Sequence, residues 1–367
     1  MNHTTRTFSR LFAALCSILW LAALLAACAP AGDPEQLFGS PAPTAQGQGD
    51  GAGPDAAALP GSGAEPGYPY GNMQKNAPSG NFMPYQGQIV FLSNDLAYTY
   101  DPATGAVSLL CRDATCSHLL CVAGTPWTNL ESYDGTLYAM VRGWYITALK
   151  NGSFETISDG AVYSFWHANG LLYARTQDSS LVVFEPGSDT PRILIDEYTA
   201  IWNVVFGNYL YGSTGQGAIR IDLTADEPKA EIIVPGDVTP LVDGEHIYYV
   251  AGDGCFYRCE LDGSAPLLLC EQNVLPASWN YDEDYLYFRF YDDSFFEGED
   301  TLGHTIYRMS KSDPGHIEPL AEFPDTVYQI YLVPGCDQLF VTRHATDGIY
   351  LVEKQSGEVT ELDLPEC

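Results

Sequence analysis

One short phrase recurs seven times between residues 87 and 340, and it consists of a turn of Gly, Asp or Asn followed by a short strand that carries Tyr or Phe. The aromatic positions are Phe91, Tyr138, Tyr173, Tyr211, Tyr248, Tyr287 and Phe340. Successive aromatics are 47, 35, 38, 37, 39 and 53 residues apart. Four strands of ordinary length with three turns need about 40 residues, so the period predicts one four-stranded unit per phrase.

The rest of the pattern is that of an all-β chain. Short runs rich in Tyr, Val, Ile, Leu and Phe alternate with Gly, Asp and Asn turns, with almost no helical periodicity. We therefore predict a β-propeller over residues 81–367, with seven four-stranded blades. Six or eight blades remain open because the first unit is short at its N-terminal side. The third unit predicts strands at 163–168, 171–177, 181–185 and 192–196.

The two longest spacings mark insertions, at residues 111–127 and 291–304. In a propeller, the connections between blades and between the two middle strands emerge on the face that usually binds ligands. The insertions are therefore where we expect a functional surface.

The first 28 residues predict export and lipidation. Arg6 and Arg10 precede an apolar run at 11–27, which is typical of a signal peptide and slightly short for a membrane span. The run ends in Leu25-Ala-Ala-Cys28, which resembles the lipobox of bacterial lipoproteins. We expect cleavage before Cys28 and a lipid (palmitate) anchor on its thiol, at the extracytoplasmic face of the cell membrane. The alternative is an ordinary secreted protein.

Residues 28–80 form a linker in this interpretation, because Gly, Pro, Ala and Asp dominate and little apolar surface is available to bury. Five of the 47 acidic residues and three of the 16 basic residues precede residue 81, which leaves the body with a net charge near −29. Such a body repels phosphate backbones, so we expect no nucleic-acid partner. Solubility is the simplest role of this charge, and we expect a monomer.

The whole chain resembles the uncharacterised β-propeller lipoproteins of bacteria, which combine a lipobox, a low-complexity tether and Tyr-rich blades. The segment from Leu110 to His118, together with Cys121, is similar to a cysteine segment of that group. The resemblance implies an extracytoplasmic propeller and implies no activity.

Cysteines suggest disulfides more than metal. Cys111, Cys116, His118 and Cys121 have the donor types of a zinc site, but their spacing departs from familiar zinc knuckles. In an oxidising compartment a disulfide is the preferred interpretation, and Cys116 with Cys121 is one candidate pair. The other is Cys259 with Cys270, since they flank a hairpin turn. We predict no cofactor and no metal.

Aromatic residues near the first strand of each unit are candidates for a ligand face. They are Trp127, Trp166, Trp202, Trp279 and Tyr328. Such rings can stack on sugar faces or peptide side chains, and the alternative is packing between blades. No nucleophile elbow, phosphate-binding glycine loop or metal-ligand His spacing occurs, so no catalytic residue is assigned.

The sequence thus predicts a membrane-anchored propeller that binds an extracellular protein, peptide or glycan without catalysis. Two alternatives remain open at this stage. One is a glycan-active hydrolase or lyase, for which two carboxylates about 5 to 10 Å apart in a pocket would argue. The other is a structural spacer in an envelope complex.

Overall fold

The computed structural model describes residues 82–365, except 94–95, 112–126, 142–144, 151–152, 159, 169, 186–189, 276–277, 292–301, 334 and 344–347. This part of the chain folds into seven antiparallel sheets of four strands each, which confirms the seven-bladed β-propeller. No helix in the described ranges is long and apolar enough to cross a membrane.

Each blade consists of four strands that are consecutive in the sequence. Blades 1 and 2 contain β1 (Met83–Tyr85), β2 (Gln88–Ser93), β3 (Leu96–Tyr100), β4 (Val107–Leu109), β5 (Trp127–Tyr133), β6 (Thr136–Val141), β7 (Tyr145–Lys150) and β8 (Ser153–Thr156). Blades 3 and 4 contain β9 (Val162–Ala168), β10 (Leu171–Thr176), β11 (Leu181–Phe184), β12 (Arg192–Ile195), β13 (Ile201–Phe206), β14 (Tyr209–Thr214), β15 (Gly217–Asp222) and β16 (Ala230–Pro235).

The remaining three blades follow the same order. Blades 5 and 6 contain β17 (Thr239–Val242), β18 (His246–Val250), β19 (Phe256–Glu260), β20 (Leu267–Cys270), β21 (Asn280–Tyr281), β22 (Tyr285–Phe288), β23 (Thr305–Ser310) and β24 (Ile317–Glu322). Blade 7 contains β25 (Val327–Leu332), β26 (Gln338–Arg343), β27 (Ile349–Glu353) and β28 (Val359–Glu361).

The recurring phrase forms the hairpin between the first and second strands of a blade. In blade 2, Asp134 and Gly135 connect β5 to β6 with φ values of 46° and 68°. Two successive positive φ angles are what a two-residue turn of type I′ requires, and Asp-Gly is among its preferred sequences. The four strands predicted for the third unit are confirmed to within one residue at each end.

The first strands lie innermost, and those of blades 1 and 2, 2 and 3, 4 and 5, and 6 and 7 contact each other. Because neighbouring strands are antiparallel, connections from a fourth to a first strand and from a second to a third strand emerge on one face. Both predicted insertions are such connections, between β4 and β5 and between β22 and β23. We call this the insertion face. The opposite face, with the other two turns of each blade, is the turn face.

The hydrophobic core lies between the blades, because each sheet buries side chains on both of its sides. Val90 of blade 1 packs in one cluster with Leu137 and Ala139 of blade 2. Between blades 6 and 7, Leu339 of blade 7 packs with Tyr287 of blade 6. Most interfaces are separate apolar layers, and those between blades 4 and 5 and between blades 5 and 6 form one continuous cluster.

The interface between blades 7 and 1 closes the ring without strand exchange within the described residues. Phe82 is fully buried there, and its ring centroid lies 5.1 Å from that of Phe91, 4.9 Å from that of Tyr331 and 4.6 Å from that of Phe340. Each of these aromatic pairs adds about 0.5–1.5 kcal/mol beyond its burial. Aromatic packing therefore holds the first blade against the last.

In blade 1 the aromatic residue of the recurring phrase lies on the opposite side of the sheet from its counterpart in blade 2. Phe91 faces blade 7, whereas Tyr138, at the corresponding place in the second phrase, packs toward blade 3. In blade 1 the residue that faces the following blade is Val90. This one-residue shift places Phe91 in the closing interface.

Removal of the Phe82 ring tests this closure. We expect Phe82→Ala to lower the free energy of unfolding by about 3–5 kcal/mol, because it opens a cavity in the closing interface. The measurement is urea unfolding followed by far-UV circular dichroism. Val359→Ala on the exposed strand β28 is the control, with an expected change within about 0.5 kcal/mol. Equal stabilities of the two variants would contradict the role given to Phe82.

Candidate functional site

Three large apolar side chains of the described residues are exposed on the insertion face of blades 2–4. Tyr145, Tyr163 and Ile201 are 47%, 37% and 47% exposed, and they lie at the starts of β7, β9 and β13. Among the described residues, one other exposed large apolar side chain, Tyr209, lies on the turn face. The remaining ones lie on fourth strands: Ile193, Ile232, Leu267, Leu268 and Val359. We call Tyr145, Tyr163 and Ile201 the apolar patch. Exposed apolar surface of this kind is typical of binding sites.

Arg175 lies beside this patch, near the end of β10. Its guanidinium carbon is 5.1 Å from the centroid of the Tyr163 ring. Burial lowers the pKa of Arg175, while the nearby phenols of Tyr198 and Tyr163 raise it. Tyr198 is itself buried, and its hydroxyl donates a hydrogen bond to Asn203 on the first strand of blade 4. A half-buried cation thus lies between two phenols on the insertion face.

A buried carboxylate joins the first strands of blades 2 and 3. Glu131 on β5 accepts hydrogen bonds from the backbone N–H of His167 and from its Nδ1, each at 2.8 Å. The side chains of Glu131 and His167 are 1% and 6% exposed. The rings of Tyr133 and Tyr138 lie 4.2 Å and 4.4 Å from the imidazole, between centroids. The pair therefore links two innermost strands.

The buried carboxylates of the described ranges each have a positive or proton-donating partner. Besides Glu131, the other is Asp243, whose Oδ2 is 2.9 Å from Nζ of Lys311. Lys311 belongs to the next blade, so this pair joins blades 5 and 6 on the turn face. Both carboxylates thus act as links between blades.

The five predicted ligand-face aromatics lie on or next to first strands. Trp166 and Trp279 are 3% and 6% exposed and pack in the clusters between blades. The packing interpretation therefore holds for these two indoles. Tyr328 is half-buried in β25. Trp127 and Trp202 lie in β5 and β13, but their side chains fall outside the described residues, so their role stays a prediction.

The predicted bridge between Cys259 and Cys270 is not formed in this structure, because both residues are free thiols. The hairpin register of β19 and β20 pairs Arg258 with Leu267, and Cys270 lies opposite Phe256, three residues from Cys259. That offset is about 10 Å along a strand, too far for a disulfide. Burial also raises the pKa of Cys259 to about 12, with smaller contributions from Asp262 and Glu260. Its thiol is therefore protonated and poorly reactive at neutral pH.

The other cysteine predictions concern residues before β5. Cys116, His118 and Cys121 lie outside the described residues, and Cys111 is half-buried at the start of that segment. Elsewhere, across the described ranges, no group of three or more His, Cys, Asp or Glu side chains is arranged to hold a metal ion.

Sequence reasoning missed Arg175, Glu131 and His167. Each of them acts across or beside a blade interface, and a single chain does not reveal which residues face each other there. One signal was available, since Arg175 lies two residues after the repeat aromatic Tyr173, where most other units carry an uncharged residue.

Comparisons with known proteins add the fold alone. No protein-family model and no curated protein matches the chain. The dihydro-heme d1 dehydrogenase NirN is similar with a TM-score of 0.50 and 14% identity, over 76% of this chain and 64% of that one. YCF48 from Cyanidioschyzon merolae has a TM-score of 0.49 and 10% identity, over 71% and 89%. PorZ, a surface component of the type-IX secretion system of Porphyromonas gingivalis, has a TM-score of 0.42 and 14% identity, over 62% and 31%. The chain thus spans less than two thirds of NirN and of PorZ.

The link between Glu131 and His167 gives a direct test. We expect Glu131→Leu to lower the free energy of unfolding by about 3 kcal/mol, because two buried donors of His167 lose their acceptor. Urea unfolding measures the change. Glu260→Leu, at an exposed position of β19, is the control and is expected to change stability by about 0.5 kcal/mol or less. A comparable loss in both variants would argue against the link.

Proposed function

We propose that this chain is an extracytoplasmic lipoprotein whose propeller binds an extracellular partner or polymer through the insertion face. In this proposal residues 1–27 are the signal peptide, Cys28 carries the lipid, and residues 28–80 are the tether. The basic start, the apolar run and the small residues before Cys28 support the anchor. A flexible coil of about 50 residues has a mean reach of roughly 40 Å, which separates the propeller from the lipid headgroups.

The apolar patch is the observation that carries the binding proposal. Tyr145, Tyr163 and Ile201 lie on three consecutive blades, on the face from which both insertions emerge. A tyrosine of similar exposure, Tyr209, lies on the turn face and stacks on Arg220, as Tyr163 stacks on Arg175. Among the described residues outside the fourth strands, the insertion face therefore exposes three large apolar side chains and the turn face exposes one.

Net charge narrows the class of partner. A propeller with a net charge near −29 repels nucleic acids and other polyanions, and the acidic residues responsible are distributed over more than one blade. Neutral, cationic or weakly anionic peptides, proteins and glycans are compatible with it. The partner proposed here is one of these, and it contributes apolar or aromatic groups to the patch.

Site-specific photo-crosslinking on intact cells tests the proposal. A benzoylphenylalanine in place of Tyr145 is expected to form a discrete adduct, because it lies in the apolar patch. The same substitution at Tyr209 is the matched control and is expected to form none. In the same cells, Cys28→Ala is expected to move the protein from the membrane fraction to the soluble fraction.

Two results would overturn the proposal. Equal adducts from positions 145 and 209, or no adduct from either, would contradict the proposed binding face. Retention of Cys28→Ala in the membrane fraction would remove the lipid anchor.

A further inference from the structure

Four arginines stack on tyrosine rings in the described part of the propeller. The pairs are Arg175 with Tyr163, Arg220 with Tyr209, Arg308 with Tyr285, and Arg343 with Tyr350. The distance from guanidinium carbon to ring centroid is 5.1 Å in the first three and 4.2 Å in the fourth. Stacking of an arginine on a tyrosine of a neighbouring strand thus occurs in four blades, although the strand pair differs between them.

Three of the four arginines also pair with a carboxylate. The nitrogen-to-oxygen distance is 2.9 Å from Arg220 to Glu231 and 2.6 Å from Arg308 to Glu318. Arg343 lies 2.8 Å from Asp325 in the same way. In each case a tyrosine ring packs on one side of the guanidinium, and a carboxylate pairs with its N–H groups.

Arg175 stacks on the Tyr163 ring, and among the described residues no acid pairs with its guanidinium. Its Nε is buried and has no hydrogen-bond partner among the described residues. Two described acids on the insertion face near Arg175 have other partners, since Asp178 accepts a hydrogen bond from Thr176 and Asp196 accepts one from Ser180. Within the described part of the propeller, Arg175 thus lacks the carboxylate partner that each of the other three stacked arginines has.

An arginine in this situation has an unfavourable electrostatic environment. Burial of a charged group costs free energy unless a counter-charge or hydrogen bonds offset it. The phenols of Tyr163 and Tyr198 offset this cost in part, and burial still lowers the pKa of Arg175 below its ordinary value. A bound carboxylate would remove the remaining cost, because the planar guanidinium matches a carboxylate with two parallel hydrogen bonds.

We propose that Arg175 binds the carboxylate of a ligand whose apolar or aromatic part rests on the apolar patch. The inference rests on the proposed function, because it names the ligand class of the same face. One carboxylate, rather than a phosphate or a polyanion, fits a body that carries a net charge near −29. The free C-terminus of a peptide that ends in an apolar or aromatic residue has this chemistry.

The test compares two peptides that differ in one charge. The probes are N-acetyl-leucyl-tyrosine with a free carboxylate and its C-terminal amide, and saturation-transfer NMR on the purified full chain gives both affinities. We expect the acid to bind about tenfold more tightly than the amide. Arg175→Met is expected to abolish this preference. Arg220→Met is the matched control, since Arg220 has the same stack on the turn face, and it is expected to keep the preference.

Thermal unfolding separates a binding role from a structural one. Arg175 has no ion pair with any described residue, so Arg175→Met is expected to unfold at the same temperature as the unaltered protein or at a higher one. A fall of several degrees would mean that Arg175 serves folding and would overturn the proposal. Equal affinities for acid and amide, no binding of either, or an unchanged preference in Arg175→Met would overturn it as well.

The two proposals fail in different ways. An adduct from position 145 together with no preference for the acid would remove the carboxylate site and leave the binding face. If no adduct forms from position 145 but the acid still binds more tightly than the amide in a way that depends on Arg175, the carboxylate site is supported and the extracellular partner is not.

Discussion

The ring is closed by the packing of aromatic side chains between blades 7 and 1. Each of these blades is built from its own four consecutive strands in the described part of the chain, so no backbone ladder joins the last blade to the first. Phe82 contacts Phe91, Tyr331 and Phe340, and the hydroxyl of Tyr100 donates to Oε1 of Gln338 at 3.0 Å. The position of every other blade depends on this closure, because each blade packs only against its two neighbours.

The closed ring places the functional surface. First strands surround the axis, and polar links such as Glu131 with His167 hold neighbouring first strands together. Because the strands alternate in direction, the start of β9 and the end of β10 meet on the insertion face, and this brings Tyr163 and Arg175 together. The apolar patch and the open arginine are thus products of the same topology that brings both insertions to this face. Rigid strands, rather than loops, carry the side chains on which the proposals depend.

Much of the fold could be predicted from the sequence because the residues that specify each hairpin are close together along the chain. The turn-and-aromatic phrase specifies a hairpin, its period specifies the number of strands in a blade, and seven phrases specify seven blades. What was missed depends on neighbours that are remote in sequence or on a one-residue shift. The register of the hairpin between β19 and β20 places Cys270 opposite Phe256 and not opposite Cys259. In blade 1, Phe91 packs against blade 7. Arg175 differs from the other stacked arginines in having no ion-pair partner among the described residues, and such partners cannot be predicted from the sequence.

Hydrogen exchange measured by mass spectrometry tests the closure most directly. If aromatic packing closes the ring as tightly as the other interfaces hold neighbouring blades, the backbone amides of β2 and β26 will exchange as slowly as those of β10 and β14. Exchange of β2 and β26 that is faster by orders of magnitude, with the middle blades still protected, would show that blades 1 and 7 separate readily. That result would contradict the account of a closed ring with a fixed insertion face.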